Sequence, residues 1–308
     1  MTSRRGWTAR LSSPRDADFE SDAACIFAVA GTEERARLPF WNDRMLRLPE
    51  SCSEVDMQGA DHFRVTSREG DKEIALRDST GLRDLFLGRE RVYLDISGLG
   101  HHVWAPVLRE GLRSLRTLWV VYAEPERYRP HPSPASATTY DLSTSLGEVS
   151  PLPGFAKLRG PDDEGRSLFV PLLGFEGARA PLVAMSLDPV PRVIPVVGVP
   201  GFRLEYPFVT IACNQEFLDD YRSHADVRLA RASCPFEAYS ALADIRKDNP
   251  DSYMYLAPIG TKPHALGAIW YAIENPGFTE IIYDHPVRRP QRTYGIGTVH
   301  VYCLKDEV

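Results

Sequence analysis

The stretch Tyr253-Met254-Tyr255-Leu256-Ala257-Pro258-Ile259-Gly260-Thr261-Lys262-Pro263-His264-Ala265-Leu266-Gly267-Ala268 decides how this chain is read. Its opening residues are apolar and aromatic, the pattern of a strand buried on both faces. Gly260 turns the chain. Pro263 then suits the first turn of a helix, where its missing N–H would have had no partner. Thr261, Lys262 and His264 therefore fall at the carboxyl end of a strand and the amino end of a helix. Open α/β sheets bind ligands at that end, and a helix amino terminus favours an anion. The stretch points to a place with a preference for phosphate-sized anions, and names no reaction.

A second stretch echoes the first. Val92–Asp95, a loop, His101–Leu115, Leu118–Tyr122 and Glu124-Pro125 run parallel to Met254–Ala257, a loop, His264–Glu274, Ile281–Tyr283 and His285-Pro286. Each is a strand, a glycine-bearing loop, a histidine at a helix start, and a strand closing in Tyr-x-x-Pro. Basic residues follow both: Arg127 and Arg129 in one case, Arg288, Arg289 and Arg292 in the other. The echo is either coincidence in a short match or the mark of two related halves. The expectation adopted is α/β, a mostly parallel twisted sheet in two Rossmann-like halves with helices on both faces. The first helix is expected from about His101 to Leu115, with Pro106 in its early turns leaving a slightly later start open.

The boundaries follow from composition. Residues 1–23 read as a polar amino-terminal tail without the apolar core of a signal peptide. Residues 24–130 form the first half and 168–308 the second, with Thr298–Leu304 as its last strand. Between them, 131–167 is a Pro/Ser-rich connection containing His131-Pro132-Ser133-Pro134. At 308 residues and a formal charge of −6, the chain can bury a large core and lacks the basic excess of a general DNA or membrane-surface binder. No apolar run is long enough to span a bilayer, and a cytoplasmic location is expected. The cysteines Cys25, Cys52, Cys213, Cys234 and Cys303 are scattered and never form a C-x-x-C pair, which suits a reducing compartment and supplies neither a zinc site nor a catalytic thiol. No cofactor or metal is implied.

Gly260-Thr261-Lys262 offers amide hydrogens, a hydroxyl and an ammonium, the set a phosphate needs. It is not a Walker A loop, since Tyr255 stands where that motif opens on glycine. The plainer alternative is a capped helix with a solvated lysine. Asp284-His285-Pro286-Val287-Arg288-Arg289 is placed to assist from the next strand. In the first half, Asp95 and Ser97-Gly98 end a strand just before His101. Asp95 with His101 or His264 would make an acid–base set if the chain were an enzyme. The plainer alternative there is an aspartate capping its loop, with one histidine packed against Trp104.

The string Leu256-Ala257-Pro258-Ile259-Gly260-Thr261-Lys262-Pro263-His264-Ala265-Leu266-Gly267-Ala268 resembles the Gly-Thr-Lys turn of CARF and SAVED sensor domains. The resemblance covers about a tenth of the chain. It departs in having one glycine where such loops often have two, and a Pro-His following. It implies a Rossmann-like module binding a cyclic or linear oligonucleotide messenger, as a sensor or adaptor subunit of a bacterial anti-phage system. The carry-over is confined to Gly260, Thr261 and Lys262, with Asp95 and Ser97 as weaker counterparts. Independently of the resemblance, Gly98, His264, His285, Arg288 and Arg289 join the candidate ligand set. Expected partners are a nucleotide or other phosphate-bearing small molecule, and protein partners or a second copy. An enzyme acting on a nucleotide or nucleoside, and an interaction subunit with no small-molecule ligand, remain the alternatives.

Overall fold

The computed structural model describes residues 7–11, 19–29, 31–59, 61–135, 137–157, 166–189 and 191–306. The fold is mixed α/β, divided into two compact units. Unit 1 comprises residues 1–128 together with 293–308, and unit 2 comprises 129–292. The Pro/Ser-rich connection thus belongs to unit 2, where its described residues form short strands. The last strand, expected in the second half, belongs to unit 1. Strands and helices are numbered here along the whole chain, leaving out the two- to six-residue strands of small ribbons.

Unit 1 holds an eight-stranded sheet. Its members are β1 (Trp7–Leu11), β2 (Ala24–Ala28), β3 (Cys52–Met57), β4 (His62–Ser67), β5 (Gly70–Ala75), β6 (Arg91–Asp95), β7 (Thr117–Ala123) and β15 (Val299–Asp306). The spatial order is β1-β15-β7-β6-β2-β3-β4-β5. The four central strands are parallel, with Ile26 beside Leu94 and Leu94 beside Val120, while the outer pairs on both flanks are antiparallel. Composition explains the division. β2 and β7 are buried at every residue, as parallel strands covered on both faces must be. β4 buries Phe63 and Val65 and exposes His62, Arg64 and Thr66, the alternation of an outer strand. The amino-terminal segment is not wholly a tail, because Trp7–Leu11 pairs antiparallel with β15.

Between β6 and β7 runs α3 (His101–Ser114), which begins at His101 with Pro106 inside it. The helix starts at His101, as expected, and not at the slightly later position that Pro106 left open. Val103, Trp104, Val107 and Leu108 are wholly buried, and that packing outweighs the backbone bond a proline removes.

Unit 2 carries β8 (Ser150–Pro151), β9 (Ser167–Pro171), β10 (Arg192–Val193), β11 (Val196–Gly198), β12 (Arg228–Ala230), β13 (Tyr253–Ala257) and β14 (Thr279–Tyr283). The main ladder is β8-β14-β13-β9-β10, parallel except for β8. A parallel bridge from Leu172 to Val196 extends it to the parallel pair β11-β12. Pro195 interrupts what reads in sequence as one strand from Val193 to Val199. The helices are α4 (Arg179–Met185), α5 (Tyr206–Cys213), α6 (Gln215–Asp220), α7 (Pro235–Asp248) and α8 (Lys262–Glu274).

Both units reverse direction at one place. In unit 1 the chain runs outward from β2 to β3, then resumes with β6 and β7 on β2's other side. In unit 2 it runs from β9 through β10 and β11 to β12, then resumes with β13 and β14 on the other side of β9. Such a reversal opens a crevice beyond the carboxyl ends of the two innermost strands. In unit 1, α1 (Pro39–Arg47) sends Trp41 into the core, and its indole Nε1 donates to Asp95 Oδ2 at 2.7 Å. Trp41→Phe is expected to cost about 2 kcal/mol, because it leaves a buried carboxylate oxygen without that donor. Chemical denaturation measures the loss. An unchanged midpoint would mean that Asp95 finds another partner.

Candidate functional site

The sequence placed its two candidate loops at the carboxyl ends of β6 and β13, and both lie at the reversal points. Neither is open. A β-carbon on Gly98 would lie 2.4 Å from the Ala36 carbonyl oxygen and 2.6 Å from the Ala28 β-carbon. The turn Glu34–Ala36 therefore covers the reversal in unit 1. In unit 2 a β-carbon on Gly260 would lie 2.4 Å from the Leu173 carbonyl oxygen and 2.8 Å from that of Leu172. Backbone rests on backbone, and glycine is required for that approach.

The unit 1 candidates are built into the scaffold. Asp95 Oδ1 accepts from the Ser97 amide at 2.7 Å, capping its own loop while Oδ2 holds Trp41. Ser97 Oγ accepts from the Ala123 amide at 2.8 Å and ties the loop to the end of β7. His101 is buried with its ring 5.4 Å from that of Trp104. This is the plainer of the two arrangements considered for these residues.

At the Gly-Thr-Lys turn, Thr261 caps α8: its Oγ1 accepts from the His264 amide and donates to the Ala232 carbonyl at 2.8 Å. Lys262 is the first residue of the helix and is 6% exposed, so it is not the solvated lysine of the plainer alternative. His264 is fully buried. Its Nε2 lies 3.2 Å from the Ala230 carbonyl and 3.1 Å from that of Arg231, and must donate because both partners only accept. Its Nδ1 then carries a lone pair, with no hydrogen-bond partner among the described atoms. Burial lowers the His264 pKa from 6.5 to about 4. A neutral ring presenting a lone pair repels an anion, so His264 orders the turn and does not hold a phosphate.

The residues following β14 take other partners than the expected guest. Val287–Arg288 pairs antiparallel with Ser143–Ser145, and Arg289 Nε lies 2.6 Å from Asp141 Oδ1. His285 has a φ of +40° and its Nε2 sits 3.1 Å from Ser150 Oγ. Burial also lowers its pKa.

Sequence reading missed the groups that close these turns. Arg179 is buried, with Nε and Nη2 on the two oxygens of Asp284 at 2.8 and 2.7 Å and Nη1 on the Ile259 carbonyl at 3.1 Å. Its guanidinium lies over the Tyr283 ring at 5.3 Å. Arg35 does the same in unit 1. It pairs with Glu33 at 3.0 Å, donates to the Ala123 carbonyl at 3.0 Å and lies over Tyr122 at 5.8 Å. Arg179 and Asp284 are 105 residues apart, and only the two echoing tyrosines gave any signal.

The buried histidine predicts an acid transition. Protonation is weaker in the fold than in the unfolded chain, so the contribution of His264 is intact above pH 6.5. It is lost as pH falls towards 4, by about 3 kcal/mol in all. His264→Gln keeps a donor to the two carbonyls and should flatten the stability profile over that range. An unchanged slope in urea titrations at stepped pH would sink this assignment.

Comparison of the chain with protein-family models, with curated proteins and with solved structures returns no match.

Proposed function

We propose that this chain is a cytoplasmic nucleotide-binding sensor or adaptor subunit of bacterial anti-phage defence, built from two related Rossmann-like halves. The observation that carries the reading is the position of Gly260-Thr261-Lys262. It stands where the strand order of unit 2 reverses, at the amino end of a capped helix, the place at which doubly wound sheets receive nucleotides. The repeated arrangement of an arginine paired with a glutamate just upstream of it and laid over a strand-end tyrosine supports the relatedness of the halves. Lys262 and the first amides of α8 would take the phosphate, with Arg288 beside the next strand. Asp95, His101 and His264 are buried within the fold, and the enzyme alternative draws no support from them.

A thermal-shift panel of mononucleotides, dinucleotides and cyclic oligonucleotides tests the proposal. At least one should raise the melting temperature. Lys262→Met keeps the buried stem and deletes the charge, and should weaken that ligand by about tenfold or more. Undiminished binding by the variant would remove the turn from the site.

One observation favours an interaction subunit as a second reading. Leu204, Phe208 and Ile211 follow one another at helical spacing along α5 and the turn before it. Leu204 is 89% exposed and Phe208 75%. Exposed apolar stripes of this kind mark contact surfaces. Phe208→Asp should strip co-purifying protein from the native chain without lowering its melting temperature; an unaltered set of co-purifying proteins would argue against this role.

A further inference from the structure

Cys25 and Cys52 are 27 residues apart in sequence and face each other across β2 and β3. Parallel pairing puts them in direct register, and Cys25 donates to Cys52 with the sulfurs 3.3 Å apart. Neighbouring strands lie about 4.8 Å apart, within the range of Cα separations a disulfide accepts. Closing the bond needs the sulfurs to approach by roughly 1.2 Å, to a final distance near 2.05 Å.

Buried thiols in apolar cores are ordinarily inert, and Cys25 does pack among Phe27, Trp41 and Tyr93. Two features set this pair apart. The first is charge. Arg44 and Arg89 both act on the pair, opposed by Glu50. Arg89 Nη2 donates to Ser53 Oγ at 3.1 Å, while its Nη1 is buried with no hydrogen-bond partner among the described atoms. The hydrogen bond from Cys25, against the opposing effect of burial, lowers the Cys52 pKa, and Cys25 is pushed up. The second is a neighbouring cavity. It has a volume of about 480 Å³ and opens at the amino ends of β2, β3 and β6, lined by Leu48, Ser51, Arg89 and Arg91 among others. Cys25 and Cys52 are fully buried and do not line it; Leu48 and Ser51 form the thin wall between the cavity and the thiols. Cys52 Sγ is 3.5 Å from the Leu48 carbonyl, and Cys25 Sγ is 3.6 Å from that of Ser51.

We propose that Cys25 and Cys52 form a peroxide-responsive dithiol, reached through the cavity at the amino ends of the central strands of unit 1. The Cys52 thiolate attacks one oxygen of hydrogen peroxide. The S–O bond forms, the O–O bond breaks and hydroxide leaves, taking a proton to become water. The Cys25 thiol then attacks the sulfenic sulfur, forming the S–S bond as hydroxide departs with the thiol proton as a second water. Two thiols and one peroxide give one disulfide and two waters. This inference does not rest on the nucleotide reading, since its residues lie at the opposite ends of the strands.

The test uses the full chain, reduced and then treated with hydrogen peroxide at neutral pH, alkylated and mapped by mass spectrometry without reduction. The expected product is a linked peptide pair carrying Cys25 and Cys52, with Cys213, Cys234 and Cys303 still alkylated. Cys25→Ser should accumulate a Cys52 sulfenic acid that dimedone traps. Arg89→Met should slow disulfide formation about fivefold or more, through a smaller thiolate fraction. Recovery of Cys25 and Cys52 as alkylated thiols while half-buried Cys234 oxidises would overturn the proposal. So would a disulfide that forms only in denaturant. Both outcomes are read on the natural chain, whatever the stability of the variants.

Discussion

A buried guanidinium laid over a tyrosine closes the carboxyl end of the parallel strands in each unit. Arg179 does this through both oxygens of Asp284, the Ile259 carbonyl, Glu176 Oε2 and the Tyr283 ring. Taking the two ions out of water carries a penalty of several kcal/mol each, which bidentate geometry and the added carbonyl bond roughly offset. The pair therefore adds little net stability. It adds a large penalty for any arrangement that separates it, about 3–5 kcal/mol, against a total of about 5–15 kcal/mol for a typical domain. It thereby holds the segments after β9, β13 and β14 in one arrangement. Arg35 ties the segment after β2 to the end of β7 and to the segment before β15 through Glu33, Ala123 and Thr293.

These clasps explain why glycines stand at the two turns. With Arg179 drawing the Ile259 carbonyl inward, Gly260 is brought against the carbonyls of Leu172 and Leu173 with no room for a side chain. Gly98 meets Ala36 in the same way, beside the arginine at position 35. A signature that in sequence suggests a loop making room for phosphate is thus also what a backbone-on-backbone contact demands. The two causes leave the same residue at the same place.

Legibility in the sequence follows from that distinction. β6, α3 and β7, and β13, α8 and β14, were readable because strands buried on both faces and a helix with an apolar stripe leave patterns many residues long. The meander β3–β5 and strand β1 were largely missed, since their polar residues alternate with few large apolar ones. The partner of β15 was misjudged because register across distant segments leaves no local trace. For the candidate site, the residue types and their place at strand ends were legible in Thr261, Lys262, Asp95 and Ser97. Whether those turns stand open was not, because that depends on Arg35 and Arg179, which lie at the starts of distant helical segments. Cys25 and Cys52 looked scattered for the same reason.

The clasp also sets the terms on which any anionic guest enters unit 2. On the proposed reading, a phosphate drawing on the Arg179 guanidinium would compete with Asp284, which is wholly buried and would then need water or another cation. If opening costs about 4 kcal/mol, a ligand of intrinsic micromolar affinity binds with an apparent constant near the millimolar range. Tight binding therefore requires either many contacts beyond one phosphate, which favours an oligonucleotide over a mononucleotide, or a guest that leaves the clasp intact and meets only Lys262 and the first turn of α8. In the first case Asp284 and the end of β14 move when ligand binds, and the fold converts occupancy into a change of shape. In the second they stay, and occupancy is read locally. On the proposed reading, the balance between Asp284 and the guest as partners of one buried arginine would decide between the two.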